Sequence, residues 1–116
     1  MSAVLVLTTM AASEDADALA RTLVDERLAA CVNVLPVMQS TYRWQGGVAV
    51  EAERQIVIKT SQDRLIDLQS RLLALHPYQV PEFLVIPVAG GTEAYLTWLR
   101  ESVGGKGIGE GNNILD

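Results

Sequence analysis

The chain's single histidine stands six residues before a carboxylate, in the stretch His76-Pro77-Tyr78-Gln79-Val80-Pro81-Glu82. An imidazole and a carboxylate can hold a divalent metal when they converge with a further ligand or water. The same stretch also fits a substrate-binding corner, or a stiff connector whose prolines restrict the backbone. One histidine and one glutamate fall short of a metal-motif signature. All three interpretations stay open at this point.

A structural role is the main alternative for the histidine. His76-Pro77 predicts the end of a helix, because a proline disfavours helical angles at the residue before it. A histidine in the last helical turn interacts favourably with the helix dipole and can bond the free carbonyl groups there. In this interpretation Glu82 forms an ion pair with Lys59.

No familiar catalytic pattern occurs elsewhere in the sequence. The GxSxG, P-loop, CxxC and HExxH motifs are absent. The lone cysteine, Cys31, excludes an intrachain disulfide and is more typical of a buried small hydrophobe than of a ligand. We therefore expect no enzymatic activity and no required cofactor, with a divalent metal such as copper or zinc as the possible ligand.

Length and charge narrow the class of protein further. The 116 residues suffice for one domain, and the net charge of −5 gives a surface that repels phosphate backbones. We expect no nucleic-acid partner, and no apolar run is long enough to cross a bilayer. Met1 to Leu7 lacks a basic leader and is typical of a first strand, not of a signal peptide. We expect a cytoplasmic protein without a membrane partner.

The first half of the chain predicts a strand, a helix and a hairpin. Residues 3–9 form a short apolar run typical of a covered strand, and Ser13 is placed to cap a helix with an apolar stripe. Residues 31–45 are rich in β-forming residues and end at Gln45-Gly46-Gly47, a turn signal. The strand that returns from this turn alternates apolar and polar residues.

The second half predicts another helix, a strand and a last helix. Thr60 and Asp63 resemble a capping box, and residues 83–88 form the fourth apolar strand. Gly90-Gly91-Thr92 leads into the last helix. We assign residues 1–103 to the domain and the Gly-rich residues 104–116 to a flexible tail.

The β-α-β-β-α-β order indicates an α+β, ferredoxin-like fold with a C-terminal helix. We expect the first strand to lie between the third and fourth, parallel to the third and antiparallel to the fourth. That arrangement gathers His76, Glu82, Thr8 and Lys59 at one edge of the sheet.

Two helices cannot cover all the apolar surface of this sheet. The strand faces carry Val4, Val6, Val48, Val50 and Ile56, together with Leu and Val residues of the fourth strand, and we expect the face opposite the helices to be uncovered. Exposed apolar patches beyond a few hundred Å² usually mark a partner, and a homo-oligomer joined through the sheets is the simplest one. Tyr42 and Trp44, near the hairpin end, are either core or interface aromatics, and we favour the interface because aromatic residues are enriched there.

Five separated motifs resemble the CutA divalent-cation tolerance proteins in order and spacing. The match spans about residues 3 to 103 and runs through Leu28-Ala29-Ala30-Cys31-Val32-Asn33-Val34-Leu35-Pro36, Ser40-Thr41-Tyr42-Arg43-Trp44-Gln45-Gly46, Lys59-Thr60, the His76–Glu82 stretch and Tyr95-Leu96-Thr97-Trp98-Leu99. The resemblance implies a homotrimer, similar in architecture to PII-type signalling proteins, that takes part in the response to copper and other divalent ions.

The resemblance also assigns site residues. It implies that His76 and Glu82 lie in a cleft between subunits as metal ligands, with Thr8, Lys59 and Tyr78 lining the cleft. It places Tyr42, Trp44 and Trp98 in the trimer interface. Some relatives carry a cysteine at the position of Thr8, so the hydroxyl here implies a weaker site for copper(I), which prefers sulfur. The alternative is a PII-like signalling or interaction module that binds a protein partner or a small anion, for which Lys59 is suited.

Overall fold

The computed structural model describes residues 2–104. Strands and helices follow one another in the predicted order, and a last helix completes it. The strands are β1 (Ala3–Ala11), β2 (Cys31–Trp44), β3 (Gly47–Ser61) and β4 (Leu84–Pro87), and the helices are α1 (Ala16–Asp25), α2 (Leu65–Leu75) and α3 (Glu93–Ser102). The tail predicted at residues 104–116 lies, from residue 105 onward, outside the described residues.

The four strands form one antiparallel sheet in the order β2-β3-β1-β4. β1 lies between β3 and β4 as predicted, but it is antiparallel to both. The predicted parallel pairing of the first and third strands is wrong. β2 runs in the same direction as β1 after the α1 crossover, and β3 returns from β2 through a hairpin, so β3 must run against β1.

One face of the sheet is covered by α1 and α2. Side chains alternate along a strand, so even-numbered residues of β1 and their partners on β3 point to these helices. A fully buried leucine stabilises the fold by about 1.5–3 kcal/mol relative to an exposed one. The core beneath the helices consists of Val6, Met10, Ala16, Leu19, Leu23, Leu28, Ala29, Ile56, Ile58, Leu68 and Leu72.

The second face of the sheet is only partly covered. Val4, Val6 and Ile56 belong instead to the helix-covered face, where they are 4%, 0% and 0% exposed. β1 is apolar at both odd and even positions, and such a run does not show which side meets the helices. By the register, the uncovered face carries Leu5, Leu7, Val57, Leu84 and Ile86.

The third helix covers one end of this second face. Leu99 and Val103 are buried in a small cluster with Ala3, and Val88 packs against it. Thr92 caps α3, since its side chain accepts a hydrogen bond from the backbone N–H of Tyr95. α3 therefore closes the sheet beside the start of β1 and leaves the middle of the second face open.

The β2–β3 hairpin extends past the rest of the sheet. β1 pairs with β3 only as far as Glu53, whereas β2 and β3 stay paired to Trp44 and Gly47. The predicted turn is confirmed at Gln45 and Gly46, whose φ angles of 49° and 81° match the two-residue type I′ loop. A β-bulge between Val34 and Val37 interrupts the ladder nearer the sheet.

Two helix starts differ from the predictions. α1 is capped by Asp15, which accepts from the N–H of Ala18 at 3.0 Å, and not by Ser13. A 3₁₀ turn at Gln62–Arg64 precedes α2, and Thr60 donates to the carbonyl of Leu28 at 2.8 Å instead of forming a capping box. Within residues 2–104, no helix combines the length and apolar character needed to span a bilayer.

Candidate functional site

The predicted site lies where the chain passes from α2 to β4. α2 ends at Leu75, His76 follows as its C-cap with an extended backbone, and β4 begins at Leu84. We call the residues between them, 77–83, the crossing segment. We call His76, Tyr78, Glu53, Gln55 and Glu82 the edge cluster, because hydrogen bonds tie them to one end of β1 and β3.

Both ring nitrogens of His76 are engaged in hydrogen bonds. Nε2 lies 2.6 Å from the carbonyl oxygen of Thr9, and the backbone N–H of Tyr78 donates to Nδ1 at 3.1 Å. The side chain is 7% exposed. The imidazole therefore links the end of α2, β1 and the crossing segment within a single chain.

Tyr78 joins the crossing segment to the base of the hairpin. Its hydroxyl donates to Glu53 Oε2 at 2.5 Å, and its ring centroid lies 4.7 Å from that of His76. Glu53 is 6% exposed even though it lies toward the hairpin. Burial, followed by the hydrogen bond to Glu53, raises the pKa of Tyr78 above its ordinary value.

Glu82 is held by a residue that the sequence analysis did not single out. The side-chain amide of Gln55 donates to Glu82 Oε1 at 3.2 Å and to the carbonyl oxygen of Thr8 at 2.7 Å. Gln55 thereby fixes the end of the crossing segment to β1 and β3. A glutamine on a strand looks like an ordinary solvent-facing residue until the register of β3 is known.

Lys59 does not belong to the edge cluster. It lies opposite Leu5 on β1 and Cys31 on β2, while Gln55 is the β3 residue opposite Thr9. The prediction that Lys59 gathers with Glu82 at one edge is wrong, because it relied on a parallel pairing of β1 with β3. The partner of Glu82 is the neutral Gln55.

The hydroxyl of Thr8 faces the helix-covered side of the sheet. The residue is 0% exposed, and its Oγ1 has no hydrogen-bond partner in the described part of the chain. The backbone of Thr8 still contacts the edge cluster through the bond from Gln55. The side chain lines no open surface of the single chain.

The donors within residues 2–104 do not form a complete metal site. Among residues 2–104, no three His, Cys, Asp or Glu side chains converge as a metal would require. A metal on His76 must displace one of the two hydrogen bonds of its ring. The ligand role of His76 and Glu82 stays a prediction, and any such site needs donors beyond the side chains that residues 2–104 bring together.

The remaining predicted residues are spread over the hairpin, α3 and the uncovered face. Tyr42 and Trp44 are each 40% exposed on the hairpin. Trp98 packs beside Leu99 and lies 5.2 Å from the Tyr95 ring. Cys31 is half-buried and has no disulfide partner, so the expectation of a buried cysteine is met only in part. The interface roles of the three aromatic residues stay predictions.

Comparison with known proteins gives one consistent result. The family model "CutA1 divalent ion tolerance protein" matches residues 4–102. The chain is 48% identical over 99 residues to the divalent-cation tolerance protein CutA of Thermus thermophilus, covering 85% of this chain and 96% of that one. The CutA of Pectobacterium atrosepticum is 43% identical over 101 residues, covering 87% and 92%.

The solved structures agree with the sequence comparison. The crystal structure of CutA from Xylella fastidiosa superposes with a TM-score of 0.85 at 40% sequence identity. The superposition covers 90% of this chain and 100% of that chain. The likeness therefore extends over the sheet, all three helices and the crossing segment.

Proposed function

The chain belongs to the CutA1 divalent ion tolerance family, and on that premise we propose that it acts as a homotrimer whose clefts between subunits bind divalent cations. The family is not one of enzymes. Copper and zinc are the proposed ions. The proposal has two parts, an assembly and a cation site, and each is supported by a different region of the molecule.

The assembly is supported by apolar surface that one chain leaves open. On the uncovered face, Leu84 is 54% exposed and Ile86 is 41% exposed. The hairpin adds Val48 and Val50, at 70% and 51%. An isolated two-stranded ribbon is marginally stable in water, so both regions favour contact with further copies of the chain.

The cation site is supported by one observation above all, which is the uncompensated charge of two carboxylates in the edge cluster. Glu53 and Glu82 accept hydrogen bonds from Tyr78 and Gln55, which are neutral. The ion pairs within residues 2–104 lie elsewhere, on α2, on the turn before α2 and at the C-cap of α1. Glu53 is 6% exposed, and a buried carboxylate without a cation is costly, so this edge favours the approach of positive charge.

Glu82 is the ligand that this chain is best placed to offer. Zinc accepts carboxylate oxygen at about 2.0–2.2 Å. Gln55 bonds only Oε1 of Glu82, which leaves Oε2 for a cation. The other donors in this proposal come from the neighbouring subunit, since residues 2–104 of one chain bring no three such side chains together.

The alternative function, binding of a small anion, has lost its main support. It relied on Lys59 as the positive group of the site, and Lys59 pairs with Leu5 away from the edge cluster. The edge cluster itself carries two carboxylates. Negative charge there disfavours an anionic ligand.

Calorimetric titration of the full-length protein with Zn²⁺ and Cu²⁺ tests the cation site. Glu82→Gln keeps the shape of the side chain and removes its charge, and we expect it to weaken binding by at least about tenfold. Glu26→Gln is the matched control, because Glu26 pairs with Arg71 on the helical side. Equal affinities in the wild type and Glu82→Gln contradict the proposal, as does a wild type that binds neither ion.

Light scattering tests the assembly separately. We expect a mass of three times the chain mass of 12.6 kDa, stable to dilution because obligate interfaces are large and apolar. A monomer at micromolar concentration contradicts the proposed trimer. Loss of the cation site would leave the trimer standing, whereas a monomer would also contradict a cation site that takes donors from the neighbouring subunit.

A further inference from the structure

We infer that His76 is a positioning residue, held as the neutral tautomer with its proton on Nε2, and that it keeps both of its hydrogen bonds when the site takes a cation. This assignment differs from the ligand role predicted from the sequence. The assignment of the tautomer in the metal-free protein does not depend on the proposed function. The retention of both hydrogen bonds with a cation bound rests on the proposed function.

The contacts of the ring specify a single protonation state. A carbonyl oxygen can only accept, so the 2.6 Å contact between Nε2 and Thr9 requires a proton on Nε2. A backbone N–H can only donate, so the 3.1 Å contact from Tyr78 requires a lone pair on Nδ1. The doubly protonated ring and the opposite tautomer each lose at least one of these bonds.

The bond to Thr9 replaces a missing strand partner. The carbonyl of Ala3 accepts from the N–H of Val88, on the β4 side of β1. Carbonyl groups of residues two apart point the same way, so the carbonyl of Thr9 faces that side too. The pairing of β1 with β4 ends at Leu7 and Leu84. His76 thus satisfies a backbone acceptor that β4 does not reach.

The bond from Tyr78 sets the direction of the crossing segment. A side-chain acceptor that bonds the N–H two residues later is the geometry of an Asx turn, here made by an imidazole. The turn seats the Tyr78 ring against the imidazole and brings its hydroxyl to Glu53. A ring nitrogen that became a ligand would lose the hydrogen bond it makes now, to Thr9 or from Tyr78.

Because the chain has a single histidine, ¹⁵N NMR of the ring nitrogens reads this residue without assignment. In the full-length, metal-free protein at mildly alkaline pH, we expect the pattern of a protonated Nε2 and an unprotonated Nδ1. We expect the pattern to stay unchanged at a Zn²⁺ concentration that saturates binding by calorimetry. The opposite tautomer, a mixture of the two, or a ring-nitrogen shift on adding Zn²⁺ overturns the inference.

Two variants separate positioning from a general structural contribution. His76→Asn keeps an acceptor for the Tyr78 N–H but is too short for Thr9, whereas His76→Gln keeps the reach to Thr9 but disrupts the turn. We expect the Tyr78 amide to exchange with solvent at least about fivefold faster in His76→Gln than in His76→Asn. Equal exchange rates in the two variants overturn the positioning role.

The zinc titration distinguishes the two proposals. If calorimetry detects no Zn²⁺ binding, the proposed function fails. The inference is then decided by the ¹⁵N pattern of His76 in the metal-free protein alone. If Zn²⁺ binds and the ring nitrogens shift, the inference fails and the cation site stands with His76 as a ligand.

Discussion

The two faces of the sheet differ in where their covering comes from. On one face, α1 and α2 bury Val6, Ile56 and Ile58 completely. On the other face, α3 covers the end near Ala3, Tyr78 covers Glu53 at the opposite end, and the middle stays open. The chain therefore completes one of its two apolar layers, and the second layer is available to further copies.

The largest effect on stability is expected from a comparison of two variants that each place one carboxylate on a different face of the sheet. Val6 and Leu7 are neighbours on β1 that point to opposite faces. We expect Val6→Asp to lower the free energy of unfolding by more than about 4 kcal/mol, because the carboxylate is buried without a partner. Circular dichroism and urea unfolding measure this loss.

Leu7→Asp is the matched variant on the uncovered face. We expect it to stay folded and to dissociate, with light scattering giving the 12.6 kDa mass of one chain. If Leu7→Asp unfolds the protein to the same extent as Val6→Asp, the two faces do not differ as described. If Leu7→Asp leaves the assembly intact, the uncovered face is not its interface.

A smaller effect is expected where Tyr78 covers Glu53. Tyr78→Phe leaves the buried carboxylate without its donor, which costs about 1–3 kcal/mol. Urea unfolding at neutral pH and fixed protein concentration measures the loss. Tyr95→Phe is the control, since Tyr95 is 43% exposed on α3.

The same tyrosine predicts a dependence of stability on alkaline pH. The pKa of Tyr78 is raised in the folded protein from the ordinary value of 10.0, chiefly by burial. Below pH 10 the phenol is protonated in both states, and above it the unfolded chain loses this proton first, so stability falls as pH rises. Tyr78→Phe should show a shallower loss above about pH 10. Identical slopes contradict this assignment.

The smallest expected effect concerns the helical layer. Asp15→Ala removes the side chain that caps α1 and should cost about 1 kcal/mol. Ser13→Ala, two residues earlier, should change the free energy of unfolding by less than about 0.5 kcal/mol. If Ser13→Ala lowers the free energy of unfolding more than Asp15→Ala does, Ser13 caps α1 as predicted from the sequence, and the assignment of Asp15 is wrong.

Periodicity was sufficient to predict the order of elements but not which side of each strand is covered. The hairpin turn was readable because Gly46 follows Gln45 at the end of a β-rich run, and His76-Pro77 marked the end of α2. β1 is apolar at every position from Ala3 to Leu7, so the sequence does not show which side of this strand faces the helices. The facing of Val4 and Val6 became known only with the helices in place.

The edge cluster was predicted in part, for a similar reason. His76 and Glu82 were found because they share one short stretch of sequence. Glu53 and Gln55 come from a strand more than twenty residues earlier, and polar residues on a strand predict solvent exposure. Only the antiparallel register of β3, together with the end of β4 pairing, brings them to the crossing segment.

The tight turn at the hairpin end fixes the length of the two-stranded ribbon that β2 and β3 form beyond the rest of the sheet. From the pair Gln39 and Ala52 to the pair Trp44 and Gly47 there are five residue steps, which span about 17 Å at about 3.4 Å per step. Side chains alternate along a strand, so inserting one residue in β2 between Gln39 and Tyr42 would turn Tyr42 and Trp44 to the opposite surface. The length of this ribbon determines how far from its own sheet the chain can contact another molecule.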